Sequence, residues 1–137
     1  MLACLVAAVM QGGLAMTTID RGVVSDIDGP REVVARTADE WQALWKAHAG
    51  PARTVPPVDF AARMVVGVFA GTRNTGGYDV EITAVEVDGA GLVVRYAETS
   101  PAADALVAQV ITSPFHVVSV PRTEGVVRFE RSQRRGR

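Results

Sequence analysis

The chain has 137 residues, one domain's length, with 48% hydrophobic and 21% charged side chains. That composition is globular and excludes a disordered polypeptide. Fourteen basic against fifteen acidic residues leave a formal charge of −1, whereas a binder of nucleic-acid phosphates needs a basic excess, so no nucleic-acid partner is expected. A single cysteine excludes an intrachain disulfide framework and a multi-cysteine zinc site.

Residues 1–15 (MLACLVAAVMQGGLA) carry no charge. The apolar run is too short to span a bilayer and matches the core of a secretory signal, with small residues Gly13 and Ala15 placed for cleavage after Ala15. The positive leader is missing, so either the start lies inside a longer signal or Met16 is the true start. Leu2-Ala3-Cys4 has part of a lipoprotein acylation box, which makes Cys4 a candidate lipidation site and a lipid anchor the one expected link to a membrane. The expected location is extracytoplasmic, or cytoplasmic if Met16 begins the chain. The leader is expected to lie outside a single domain covering residues 16–130.

Within that domain the pattern is mainly β. Thr17–Val24 and Arg31–Arg36 are predicted strands, separated by the turn-rich Ser25–Pro30. Thr37-Ala38-Asp39-Glu40 has the form of a capping box. Trp41, Leu44, Trp45 and His48 follow at spacings of three and four, so the sequence predicts one amphipathic helix at about 38–49, stopped by Gly50-Pro51. Its two tryptophans are expected to pack on a sheet; an aromatic ligand platform is the alternative. Pro51–Pro57 is an extended linker.

Met64–Ala70 is an almost unbroken apolar run, predicting a central strand buried on both faces. Gly77–Val87 alternates, then changes phase, which predicts a bulge near Thr83–Ala84. Asp88–Gly91 makes a hairpin turn into a return strand through Tyr96. Leu106–Thr112, Phe115–Val120 and Gly125–Glu130 complete seven to eight short strands. Short turns and a single helix imply antiparallel pairing. The expected fold is an antiparallel β-sandwich or half-open barrel, with the helix over an open edge or end. Arg131–Arg137, with four arginines in seven residues, is expected to be a solvated, disordered tail.

Catalytic patterns are sparse. There is no G-x-S-x-G elbow, P-loop or dinucleotide fingerprint. His116 could serve Ser100 or Ser113 as a base, but a structural histidine is the expectation. Asp79 and Glu81 share a strand face and are expected to be solvated; Asp26 and Asp28 form no complete calcium loop. No metal or cofactor is expected. The informative loop is Gly71–Gly77, rich in glycine and threonine. Because Tyr78 begins one arm of a hairpin and Tyr96–Glu98 ends the other, Gly71–Tyr78 and Thr99–Ala102 should share one end of the sheet. Loops so placed commonly bind partners. The candidate contact residues are Arg73, Asn74, Thr75, Gly76, Gly77, Tyr78, Ser100 and Pro101.

These residues also carry a resemblance. Met64–Gly71 (MVVGVFAG), Thr75–Ile82 (TGGYDVEI), Glu40–Trp45 (EWQALW), Gln109–His116 (QVITSPFH) and Val120-Pro121-Arg122, spread over about residues 31–130, are similar to the PrcB C-terminal domain family, the protease complex subunit PrcB-like proteins. Thr75–Tyr78 and Thr112–Phe115 match its motif positions. The resemblance implies a small exported, often lipid-anchored protein, non-enzymatic, which supports a secreted protease as an accessory or stabilising subunit. No catalytic residue comes with the family. The T-G-G-Y stretch also resembles the N-P-T-T-G-Y loop of chagasin-type protease inhibitors, though without its N-P, and implies a loop-inserting inhibitor as the alternative.

Overall fold

The computed structural model describes residues 13–136. What the sequence predicts for residues 1–12, Cys4 included, and for Arg137 falls outside them. Among the described residues seven strands and one helix follow in the order β1 (Thr17–Gly22), β2 (Arg31–Ala35), α1 (Ala38–Ala49), β3 (Arg63–Phe69), β4 (Asp79–Asp88), β5 (Gly91–Ser100), β6 (Phe115–Pro121) and β7 (Val127–Arg135). The strands form a four-stranded sheet, β1-β6-β3-β2, and a three-stranded sheet, β4-β5-β7.

The unbroken apolar runs of β3 and β6 have a simple cause: both strands are covered on two faces. Met64, Val66, Val68, Val118 and Val120 face Val80, Ile82, Val85, Leu92 and Val94 of the other sheet. Val65, Phe69, Phe115 and Val117 face Trp41 and Trp45 of α1. The helix therefore covers a sheet face, where an edge or end was expected, because the second apolar side of β3 and β6 needs burial. Both indoles are fully buried, which makes them core residues and no ligand platform. Their N–H groups donate to Pro56 O (2.8 Å) and Arg53 O (3.2 Å), so the proline-rich linker is wrapped against the helix.

Thr37 caps α1, its Oγ1 accepting from Glu40 N–H at 3.1 Å. Glu40 reaches back one residue further than a capping box requires, to Arg36 N–H at 2.7 Å. The bulge in β4 lies between Ile82 and Ala84, where the phase change predicts it.

The two sheets meet on one side and part on the other. On the β1/β4 side Leu14 N–H donates to Val85 O at 2.8 Å, and Leu14 packs on the core between the sheets. There His116, only 3% exposed, joins both sheets. Its Nδ1 accepts Ile82 N–H at 2.9 Å, which puts the ring proton on Nε2, 2.9 Å from Thr18 Oγ1. On the opposite side β2 and β7 are the free strands, with a cleft of about 380 Å³ beside them.

Three further expectations are corrected. Leu106–Thr112 forms no strand; apart from one bridge between Arg73 and Thr112 it is a loop. β5 already has a strand on each side, as does β6, so no edge is open to it. β7 pairs parallel to β5, against the antiparallel expectation. Parallel strands need a crossover, and β6 in the other sheet supplies it where a helix usually does. Finally, Arg131–Arg135 is the second half of β7 and no disordered tail. β5 runs to Ser100, and its backbone pairs with these residues up to Arg135.

Candidate docking face at the loop end

Three loops gather at the end of the sandwich where β3 stops and β6 begins. Gly71 turns at φ +83°, and a Cβ there would fall 2.9 Å from Pro30 N, so the loop presses on the β1–β2 connection. Thr72 N–H donates to Asp28 O at 3.0 Å. Arg73 and Thr112 exchange two backbone bonds, of 2.7 and 2.9 Å. Gly76 N–H donates to Ala108 O at 2.8 Å, and Thr112 Oγ1 donates to Thr75 O at 2.9 Å. Ser113 N–H reaches Val23 O at 2.7 Å. The glycine-rich loop is thus strapped along its length to residues 101–114.

The expected juxtaposition of this loop with Thr99–Ala102 is present. Gly77, at φ +93°, lies so close to Pro101 that an added Cβ would sit 2.9 Å from the Pro101 Cβ. The Arg73 guanidinium stands 5.5 Å from the Tyr78 ring centre and 3.9 Å from a Glu98 carboxylate oxygen. Among the candidate contact residues, Asn74 and Gly77 are exposed, whereas Arg73, Thr75, Gly76, Tyr78, Ser100 and Pro101 are half-buried.

Sequence reasoning missed the apolar part of this end. Val24 is 76% exposed, Ile111 73% and Leu106 fully, with Val23 and Val110 exposed beside them in sequence. All five lie on the strapped loops. Reading Leu106–Thr112 as a strand, and the first strand as running on to Val24, hid them, since a strand would have buried alternate residues.

The structure also joins three residues that no local motif links. Ser25 Oγ lies 2.8 Å from His48 Nδ1, and Asp20 Oδ2 accepts from His48 Nε2 at 2.9 Å. The ring is buried, packed edge-on at 4.2 Å from the Phe115 ring centre and 5.3 Å from that of Trp45. Serine, histidine and aspartate in hydrogen-bond sequence evoke acyl transfer, which needs free N–H groups for the oxyanion. Here Asp26 N–H is spent on His48 O at 2.8 Å. Ile27 N–H is spent on Ser25 Oγ itself, at 3.1 Å. Both donors that follow the serine are occupied, and the cluster acts as a clip between β1, the β1–β2 loop and the end of α1. His48→Ala should cost about 3 kcal/mol, since it opens a cavity and strands two polar groups, and Ser25→Ala about 1 kcal/mol, both read by chemical denaturation.

Asp79 and Glu81, on one strand face, are paired: Arg21 lies 2.7 Å from Asp79 and 3.5 Å from Glu81. Among the described residues no group of three or more histidine, cysteine, aspartate or glutamate side chains is placed to hold a metal ion.

Comparison with curated proteins and with solved structures returned no match. Residues 64–121 match the family model described as PrcB C-terminal. The match runs from β3 through β6 and encloses both the T-G-G-Y loop and the T-S-P-F-H stretch; α1 and β7 lie outside it. Over these residues, less than half of the chain, it is similar to the PrcB C-terminal family.

Proposed function

We propose that the chain is a non-catalytic binding domain that acts outside the cytoplasm as an accessory, stabilising subunit of a secreted protease. The observation that carries this reading is the family match, which encloses the β3–β4 and β5–β6 loops of the docking face. Exposed apolar side chains on mutually bonded loops are suited to a protein partner, because their burial drives association while the strapped backbone loses little freedom. The strapping also favours a face over a wedge: a loop bonded along its length does not enter a protease cleft as an inhibitor's loop must.

The test is the abundance and activity of secreted proteases in the source cells. Deleting the gene should shorten the half-life of one protease that co-purifies with the tagged chain. The variant Val24→Asp/Ile111→Asp should fail to restore it, because two buried carboxylates at an interface weaken binding about a hundredfold or more. An unchanged protease profile on deletion would refute the proposal. A rise in proteolytic turnover on deletion would instead establish the inhibitor.

A further inference from the structure

The three-stranded sheet ends on β7. Its register with β5 is unbroken from Leu92 opposite Val127 to Ser100 opposite Arg135. At the two ends of the ladder, Val126 O accepts Leu92 N–H at 3.0 Å and Gly136 N–H donates to Ser100 O at 2.6 Å. Bonding residues alternate along a strand, so the even-numbered residues of β7 spend their backbone groups on β5. The odd-numbered ones, Val127 to Arg135, turn theirs to the open side.

That edge is nine residues long and carries neither proline nor a register shift, two devices by which proteins blunt such edges. The edge strands of the other sheet, β1 and β2, are six and five residues long, and β1 carries a register shift. β4 is partly covered by Gly13 and Leu14. Beside β7 lies the cleft of about 380 Å³, with Phe69, Tyr96, Phe129 and Arg131 in its lining. An added strand sends alternate side chains toward such a cleft.

Charge decides the occupant. β7 itself holds Arg128, Arg131, Arg134 and Arg135 against Glu130. Arg128 also meets Asp88 at 3.4 Å, Arg131 Glu98 at 3.8 Å and Arg134 Glu81 at 3.5 Å, but these are long pairs of half-exposed arginines and weak, so the strand an incoming peptide lies beside keeps a positive excess. A second copy pairing through β7 would set arginine rows against each other, whereas an acidic strand would meet opposite charge. We propose that β7 accepts an extended, acidic peptide segment of a partner protein as a fourth strand of its sheet. This goes beyond the loop-end reading and stands without it, since it uses a strand outside the family match.

The experiment uses the full chain and a fluorescent peptide of alternating valine and glutamate, read by anisotropy. The glutamate peptide should bind, more weakly as salt rises, and its lysine counterpart should not. N-methylation of alternate peptide residues should abolish binding. Gln133→Pro removes an outward N–H and leaves the β5 ladder intact, so it should weaken binding about tenfold, whereas Gln133→Ala should not. Absence of binding, equal binding of the lysine peptide, or binding indifferent to N-methylation would overturn the proposal. So would a wild-type dimer that Gln133→Pro, still folded by its melting curve, converts to monomer.

Discussion

His116→Ala should destabilise the protein by about 3 kcal/mol, a fall in melting temperature on the order of 10 °C. The side chain is a buried polar bridge between the inner faces of the sheets on the β1/β4 side, as Tyr96 to Glu32 is on the β2/β7 side. Its loss leaves Ile82 N–H, in the bulged part of β4, without an acceptor in a buried setting. It also leaves a cavity between β1, β4 and β6. His116→Asn, which keeps an acceptor near the Nδ1 position, should recover part of the loss. Recovery by leucine of equal size would show that volume, and no hydrogen bond, is what matters.

The same residue gives the fold a pH dependence. Burial, and after it the nearby Arg21 cation, push the His116 pKa below its ordinary 6.5. The unfolded chain therefore binds this proton more readily than the folded one. The contribution is present in full above about pH 6.5 and is lost as pH falls toward the depressed folded value. A proton on Nδ1 would point at Ile82 N–H, donor against donor. Melting curves taken from pH 8 down to 5 should show this loss in the wild type, and the alanine variant should lack it.

Gly91→Ala should be comparably severe, costing about 3 kcal/mol or more. A Cβ on Gly91 would lie 1.9 Å from Val126 O and 2.8 Å from Val126 C, both backbone atoms that cannot rotate away. The chain entering β7 crosses the β4–β5 turn at this point, with Gly125 N–H donating to Ala90 O at 3.1 Å. Any side chain must prise β7 from the start of β5. Chemical denaturation should register the loss, and amide exchange should rise first in Val127–Arg135. Gly29→Ala, where an added Cβ meets nothing within 4 Å, should stay within about 0.5 kcal/mol of wild type. If Gly91→Ala matched that control, β7 would not pass where the structure puts it.

Much of this architecture could be read from the residues. Trp41, Leu44, Trp45 and His48 mark a helix face by spacing alone, and Thr37 and Gly50 mark its ends. Met64–Ala70 announces a strand with two buried faces because no polar residue interrupts it. The phase change after Thr83 locates a bulge. Each signal is local, so a window of ten residues contains all of it.

The errors share one origin. Leu106–Thr112 has the composition of a strand, but a strand needs an unpaired neighbour, and β5 and β6 have none to offer. Arg131–Arg135 has the composition of a tail, yet the far half of β5 draws it into a ladder. The clip of Asp20, Ser25 and His48 joins β1, a loop and a helix end, and no spacing in the chain foretells it.

From the sequence alone came the helix, most of the strands, the two-sided burial of β3 and the family likeness of its central part. These depend on periodicity and side-chain type, which are properties of neighbours in the chain. Only the tertiary structure decided which strand edges stay open, how β7 runs, which carbonyls strap the glycine-rich loop and what lies around each histidine. Those depend on backbone hydrogen bonds and contacts between residues far apart in the chain, and such pairings are settled by the whole set of competing edges at once.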